Sequence, residues 1–465
     1  MDHMKRREFL TMAAGLSAAC ALGRGAAVAP SRKPNILIFL ADDLGWHDVG
    51  YHGSEIRTPN IDRLAAQGVR FERAYSFPVC SPTRSGLMTG RSPMRLGVCY
   101  TVIRPWSDYG VPIAERFMPQ AFHDAGYQTA ITGKWHLGHA YKKFLPRSRG
   151  FDHAYGHLNG AIDYFTHERE GGLDWNRNGQ SVREEGYSTF LLGNEAARFI
   201  KQRDRTRPFF VYVPFNSPHA PLQAPPEYIQ KYSSIAEPKR RSFAGMVDAM
   251  DTTIGKVLGT LEEEGIAGNT LVLFFSDNGG PTGSGATNTP LRAGKGTTFE
   301  GGIRVPTVMR WPGQLKPGIV SNQVMSMMDY FPTLAAAAGL TPGNTLPLDG
   351  KNLWPSIMGG KAEPREDVCF CVEGQGVVRL GVHHREWKLV REAPRSGVPT
   401  NYLFRIDEDP NETTNLAEKN PKLVAELVER VENWRALHPA GGVREGPMPQ
   451  GWKAPKLWVE AARES

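Results

Sequence analysis

Asn35-Ile36-Leu37-Ile38-Phe39-Leu40-Ala41-Asp42-Asp43-Leu44-Gly45 is an unbroken apolar run that stops at two adjacent carboxylates. A strand with one wet face alternates apolar and polar residues, whereas one buried on both faces reads as a continuous apolar run. The stretch therefore predicts a central parallel strand with Asp42 and Asp43 at its carboxyl end. Downstream, Thr58-Pro59-Asn60 opens a helix with Thr58 as cap and Gly68 beyond its end. A second helix is expected from about Ile113 to Ala125, closed by Gly126. A strand over Tyr127–Thr132 runs into Gly133-Lys134-Trp135-His136-Leu137-Gly138. Residues 145–186 read as irregular and Gly-rich. A helix near Thr189–Arg203 then leads to strand Pro208–Pro214, which empties into Asn216-Ser217-Pro218-His219. A helix from about Ser242 to Glu264 precedes strand Thr270–Phe275, which ends in Ser276-Asp277-Asn278-Gly279-Gly280.

Strand alternating with helix defines an α/β protein with a large, mostly parallel sheet flanked by helices. Ligands in such sheets bind beyond the carboxyl ends of the strands. Four strands here deliver ionisable groups and one amide to that edge: Asp42 and Asp43; Lys134 and His136; His219; Asp277 and Asn278. From about Glu363 the pattern changes to short strands (Val368–Val372, Val377–Val382, Trp387–Arg391, Tyr402–Ile406). A helix from Pro421 to Leu437 follows, striped with Leu423, Leu427, Val431 and Trp434. The expected organisation is an address at 1–29, a catalytic α/β domain at 30–362, and a smaller C-terminal domain of antiparallel sheet plus helix at 363–465.

Residues 1–29 read as an export signal. Lys5-Arg6-Arg7-Glu8-Phe9-Leu10 is a twin-arginine pattern, Met12 to Leu22 a short apolar run, and Ala27-Val28-Ala29 a cleavage site. The expectation is a bacterial chain handled by the twin-arginine (Tat) export machinery and resident in the periplasm or secreted. No later stretch is long and apolar enough for an integral membrane anchor. The net charge is +7, of which +2 lies in the first 29 residues. That mild excess suits an anionic substrate, and no nucleic-acid partner is expected. Of five cysteines, Cys20 lies in the leader and Cys80 in a motif of its own. The odd remainder argues against a disulfide framework. Cys369-Phe370-Cys371 with His383-His384 lacks the usual zinc spacing and reads better as strand alternation.

Val79-Cys80-Ser81-Pro82-Thr83-Arg84 begins a further helix, with Pro82 in the first turn and Gly90 past the end. Cys80 then lies at a helix N-terminus, a position that favours an anion or a nucleophile, with Arg84 one turn on. Asp42, Asp43, Asp277 and Asn278 offer hard oxygen donors, which hold Ca²⁺ or Mg²⁺ rather than zinc. Arg84, Lys134 and Lys295 add cations, and His136 and His219 move protons near neutrality. A metal with cations suits a substrate bearing a tetrahedral oxyanion. Ala293-Gly294-Lys295-Gly296-Thr297 is not a nucleotide phosphate loop, because Thr289 replaces its first glycine. Trp46, Trp106, Tyr164 and His167 are candidates for stacking on a sugar.

Cys80-Ser81-Pro82-Thr83-Arg84 resembles the C-x-P-x-R motif of the type I sulfatases, in the alkaline-phosphatase-like superfamily. The likeness continues through Leu40–Gly45, Gly133–Gly138 and Phe275–Gly280, and spans residues 34 to about 440. Leu145-Pro146-Arg147-Ser148-Arg149-Gly150-Phe151-Asp152 and Asp163–Arg169 are similar to the arylsulfatase B (N-acetylgalactosamine 4-sulfatase) branch, whose bacterial relatives are also expected on sulfated algal galactans. The resemblance implies that a formylglycine-generating enzyme oxidises Cys80 to formylglycine, whose hydrate attacks sulfur. It implies Ca²⁺ held by Asp42, Asp43, Asp277, Asn278 and residue 80, with Asp277 assisting the attack. By the same resemblance His219 and Lys295 bind the sulfate and one of them protonates the leaving oxygen. His136 deprotonates the second hydroxyl, and Arg84 and Lys134 hold the diol. Export of the folded chain would place the conversion of Cys80 in the cytoplasm. The alternatives are a phosphate or phosphonate ester hydrolase on this fold, and a non-catalytic binder of sulfated glycans.

Overall fold

The computed structural model describes residues 33–464, so the export signal at 1–29 lies outside the described residues. In chain order the sheet-building and flanking elements are β1 (Asn35–Ala41), α1 (Pro59–Ala66), β2 (Val69–Phe71), α2 (Cys80–Thr89), α3 (Met118–Asp124), β3 (Gln128–Lys134) and β4 (His153–His157). There follow β5 (Asn176–Arg177), β6 (Gln180–Ser181), α4 (Ser188–Gln202), β7 (Phe209–Pro214), α5 (Pro238–Glu263), β8 (Thr270–Ser276), β9 (Thr307–Arg310) and β10 (Ile319–Ser321).

These strands form one ten-stranded sheet in the order β10-β2-β9-β8-β1-β7-β3-β4-β5-β6. The five strands from β8 to β4 are mutually parallel, and β9 and β5 run antiparallel on either side of them. β1 is buried along its whole length, as its apolar run requires. Its Ile36, Ile38 and Leu40 pack with Leu87, Met88 and Phe122 of α2 and α3 on one face. Leu37, Phe39 and Ala41 pack with α1, α4 and α5 on the other. The four strands expected to carry chemistry, β8, β1, β7 and β3, are neighbours. Register locks their ends together, with Ala41 opposite Ser276 and Leu40 opposite Pro214.

Three local readings need correction. The helix expected over Ile113–Ala125 is only Met118–Asp124, because Pro119 belongs in a first turn and the Gln120 side chain accepts the Phe117 N–H (2.8 Å). α5 begins at Pro238 rather than Ser242, since Glu237 caps its first turn by accepting the Lys239 N–H (3.0 Å) and the Arg240 N–H. The span read as irregular contributes β4, which extends the sheet parallel to β3. Its sequence, His153-Ala154-Tyr155-Gly156-His157, has no apolar run. A Cβ at Gly156 (φ +126°) would lie 2.4 Å from the Gly133 carbonyl oxygen, so glycine is what lets the two strands approach.

β11 (Asp367–Gly374), β12 (Val377–His384), β13 (Trp387–Pro394) and β14 (Thr400–Arg405) form a separate antiparallel meander. Helix α6 (Pro421–Arg435) packs on it through buried Leu427 and Val431, with Leu423 and Trp434 half-buried beside them. Cys369 and Cys371 share one face of β11, opposite Val382 and Leu380, whereas His383 faces the other way beside Arg73. His384 shares the face of the cysteines, but its Nδ1 is held by Asp367 Oδ1 (2.6 Å), and among the described residues these four do not gather as a zinc site would need. Residues beyond α6 run back over the surface, where the Val443 N–H reaches the Gly97 carbonyl and the Arg463 N–H the Ala140 carbonyl (2.6 and 2.9 Å). Among the described residues no helix is long and apolar enough to cross a membrane.

Candidate active site

Helix α2 is buried from end to end, and Cys80 is its first residue. Val79 enters in extended conformation, and Gly90 leaves in the left-handed region (φ 67°), where glycine is unstrained. Thr83 fixes the entry, its hydroxyl accepting the Phe77 N–H (2.9 Å). The Ser81 hydroxyl donates to the His136 carbonyl (3.0 Å) and accepts the Ile103 N–H (3.1 Å), tying the helix start to the loop after β3.

Around Cys80 the strand ends converge. Its sulfur lies 3.4 Å from Asp42 Oδ1 and 3.8 Å from Lys295 Nζ. Lys134 Nζ is 2.6 Å from Asp42 Oδ2. Arg84 places Nε and Nη2 on Asp277 Oδ2 (3.1 and 2.8 Å) and Nη1 on the Lys134 carbonyl (3.2 Å), its side chain fully buried. Asp277 Oδ1 accepts the Asp43 N–H (3.2 Å). Asp43 Oδ1 in turn meets Lys295 Nζ (2.6 Å) and the Asn278 amide (2.8 Å). His219 Nε2 faces Asp43 Oδ2 at 3.7 Å. The carboxylates, cations and His219 expected to hold the metal and the sulfate are thus gathered around Cys80. Cys80, His136, His219 and Lys295 line a cavity of about 520 Å³, within the usual range for a ligand pocket.

Burial raises the Asp42 carboxyl to about 7, helped by Asp277 and opposed by Lys134 and Arg84. Burial also opposes ionisation of Asp43 and Asp277, but Lys295 overcomes it for the first and Arg84 for the second, so both stay below the usual carboxylate range. Burial pushes the Cys80 thiol well up, so unmodified sulfur is protonated and a poor nucleophile. His136 is held neutral by burial and by Lys134 and Arg84. Its Nε2 lies 3.0 Å from the Ile103 carbonyl, which can only accept, so Nε2 carries the proton and Nδ1 keeps its lone pair. Nδ1 is buried without a hydrogen-bond partner, poised to take a proton. Asp43 and His136 both have left-handed backbone (φ 74° and 58°), strain held in place by the surrounding contacts.

The ligand atoms of Asp42, Asp43, Cys80 and His219 lie within 4.8 Å of one another. Asn278 Oδ1 is buried with no hydrogen-bond partner. An orphaned amide oxygen beside anionic carboxylates fits a hard divalent cation. His219 joins this closest group, which the sequence does not signal, while Asp277 directs one oxygen to Arg84.

The sugar-stacking candidates are placed elsewhere. Trp46 is buried against His52 with Arg304 over its face, and His167 is stacked on Trp175. Trp106 packs on Trp452. Tyr164 is buried, and its hydroxyl lies 2.5 and 2.8 Å from the Asn216 and His219 carbonyls, fixing the loop that presents His219. Gly160 was missed, since nothing local marks it. A Cβ there would lie 2.4 Å from the His136 ring. Gly160→Ala is therefore expected to tilt the imidazole and lower turnover about tenfold or more, with a smaller change in KM. Unchanged kcat would show that the ring is not held there for catalysis.

A parallel sheet whose strand ends gather carboxylates, cations and neutral imidazoles around one sulfur defines a hydrolase for esters of a tetrahedral oxyanion. Residues 34–340 match the sulfatase family, and 294–436 match the C-terminal region of N-sulphoglucosamine sulphohydrolase. Mouse arylsulfatase J is 33% identical over 459 residues, covering 88% of this chain and 77% of the relative. Human N-acetylgalactosamine-6-sulfatase is 38% identical over 386 residues (78% and 72%). The crystal structure of Ps i-CgsB in complex with k-i-k-neocarrahexaose superposes with a TM-score of 0.82 at 33% identity (89% and 95%). The chain belongs to the sulfatase family, and it is a sulfuric ester hydrolase with the alkaline-phosphatase-like fold. The relatives named here do not single out the 4-sulfatase branch.

Proposed function

We propose that this enzyme hydrolyses the O-sulfate ester of a sulfated sugar, galactosamine 4-sulfate-like or a sulfated galactan, with residue 80 acting in its formylglycine form. The observation that carries the proposal is Cys80 lining a cavity, in reach of Asp42 and Lys295, with His136 and its unpartnered Nδ1 lining the same cavity. The sugar class is supported by the relatives, one an N-acetylgalactosamine-6-sulfatase and another bound to a neocarrahexaose.

Formylglycine supplies a hydrated aldehyde, two oxygens on one carbon, which a thiol cannot. Ca²⁺, or Mg²⁺ in its place, would be held by Asp42, Asp43, Asp277, Asn278 and residue 80, and would neutralise charge on the reacting oxygens. Arg84 keeps Asp277 ionised and oriented to assist the attack. Lys134 balances Asp42 and holds the nucleophile's charge. Lys295 and His219 bind the sulfate, and one of them protonates the leaving oxygen. His136 accepts at Nδ1 the proton whose removal expels sulfate. We further propose catalytic and C-terminal domains at 30–362 and 363–465, a formylglycine-generating enzyme as maturation partner, and Tat export to the periplasm or beyond.

Turnover of a matched aryl sulfate and aryl phosphonate, by protein co-expressed with a formylglycine-generating system, tests the reading. Faster sulfate hydrolysis is expected, and faster phosphonate hydrolysis overturns it. A chelator should abolish activity, and Ca²⁺ should restore it and raise the melting temperature in proportion to the logarithm of its concentration. Full activity in excess chelator would contradict the metal assignment.

A further inference from the structure

The cavity lined by Cys80, His136, His219 and Lys295 is lined also by Arg104, Arg169 and Arg379, none of them assigned to the sulfate. These come from three separate segments, each fixed in place. Next to Arg104, the Ile103 N–H donates to the Ser81 hydroxyl and the Ile103 carbonyl accepts from His136, while the Pro105 carbonyl accepts from His139 (3.1, 3.0 and 3.0 Å). The backbone bearing Arg104 is thus bound to the neighbour of Cys80 and to the proposed base. Arg169 lies in a hairpin that pairs it with Gly172, and its carbonyl accepts the Trp458 indole N–H (3.1 Å). Arg379 stands on β12 with Nε on Glu392 of the next strand (3.0 Å).

Each arginine has one carboxylate partner, Glu445, Glu170 and Glu392 in turn, so what the cavity gains is their remaining N–H donors rather than net charge. Glu445 takes Arg104 Nη2 with both oxygens (3.0 and 3.1 Å) and the Thr101 hydroxyl (2.7 Å). Arg169 pairs through Nη2 with Glu170 (3.1 Å), and its buried Nε has no hydrogen-bond partner. Glu373 also borders the cavity, but Arg395 and Arg444, from outside the trio, occupy its two oxygens (2.8 and 3.1 Å). A guanidinium has five N–H donors, so each of the three retains donors for a ligand. Their fork geometry matches the paired oxygens of a carboxylate or a sulfate.

We infer that the cavity contains a second oxyanion subsite, formed by Arg104, Arg169 and Arg379, and that the substrate is a saccharide with a further sulfate or carboxylate on the unit beside the one desulfated. This rests on the sulfatase reading of the Cys80 centre and specifies its substrate class. The test measures sulfate release from three disaccharides sharing one scissile sulfate: with nothing further, with a second sulfate on the adjoining unit, or with a uronate there. Wild-type enzyme is compared with Arg104→Gln and Arg169→Gln, which stand on separate segments, so misfolding of one leaves the other to be read. In the wild type, kcat/KM for at least one doubly anionic substrate should exceed that of the singly sulfated one about tenfold or more. The preference should fall towards one in the variants, chiefly through KM, and weaken as salt rises. Which of the two arms shows it identifies the second oxyanion. Equal kcat/KM for all three in the wild type, or a preference intact in a folded variant, overturns the subsite and leaves the sulfatase reading standing. No sulfate from any of them, nor from an aryl sulfate, overturns that reading and the subsite together.

Discussion

Cys80→Ala is expected to fold as the parent does and to lose sulfate release by on the order of 10⁴-fold or more, as when a covalent nucleophile is removed. The sulfur is buried at the start of α2, and its described polar contacts are with Asp42 and Lys295. Both keep their other partners, Lys134 and Asp43, when it is gone. A small buried side chain removed from such a place costs about 1 kcal/mol, so the melting curve should barely move. Sulfate release followed by ion chromatography, beside a thermal melt, separates the two effects. Turnover near the parent's would show that the nucleophile lies elsewhere.

The second large effect is on stability. Lys388 of β13 is fully buried, with Nζ 2.7 Å from Glu300 and 2.8 Å from Glu412, both also buried. Burial and the neighbouring Glu300 raise Glu412 to about 7, while Lys388 holds Glu300 low. Glu412 also accepts the Glu300 N–H (2.7 Å). One cation between two carboxylates thus joins the small sheet to the body carrying the active site, beside the apolar packing of Tyr75, Phe77 and Ile303 on Phe370 and Leu380. Lys388→Met leaves Glu412 buried without its cation and Glu300 with only the more distant Arg304 (3.6 Å), and should cost roughly 3–5 kcal/mol, whereas replacing all three charges together with apolar residues of similar volume should cost far less. Denaturant midpoints of the single and triple variants check this. Equal losses in both would mean that packing, not charge, holds the junction.

The catalytic floor was legible because parallel strands must be apolar throughout, so Asp42, Asp43, Asp277 and Asn278 stand out where β1 and β8 end. Pro82 and Gly90 marked α2 because each has one favoured place relative to a helix. β4 was not legible, since two histidines and a glycine break its apolar pattern and its place depends on the meeting of Gly133 and Gly156. Arg104, Gly160 and Glu445 were equally silent. Each gains its meaning from a neighbour distant in sequence, Arg104 through its link to Glu445 and Gly160 through the His136 ring. Of the aromatic residues offered for sugar stacking, Trp46, Tyr164 and His167 are buried in packing, and Trp106 stands half-exposed against Trp452 outside the lining of the Cys80 cavity, because ring chemistry suits packing as well as it suits sugars.

Turnover depends on the chemical state of residue 80 in its assembled pocket. Mass spectrometry of the peptide containing Cys80, from active protein made in its native host, measures that state directly. An aldehyde-bearing peptide, with one oxygen in place of sulfur and two hydrogens, is the result expected. An unmodified thiol in protein that still releases sulfate would contradict it.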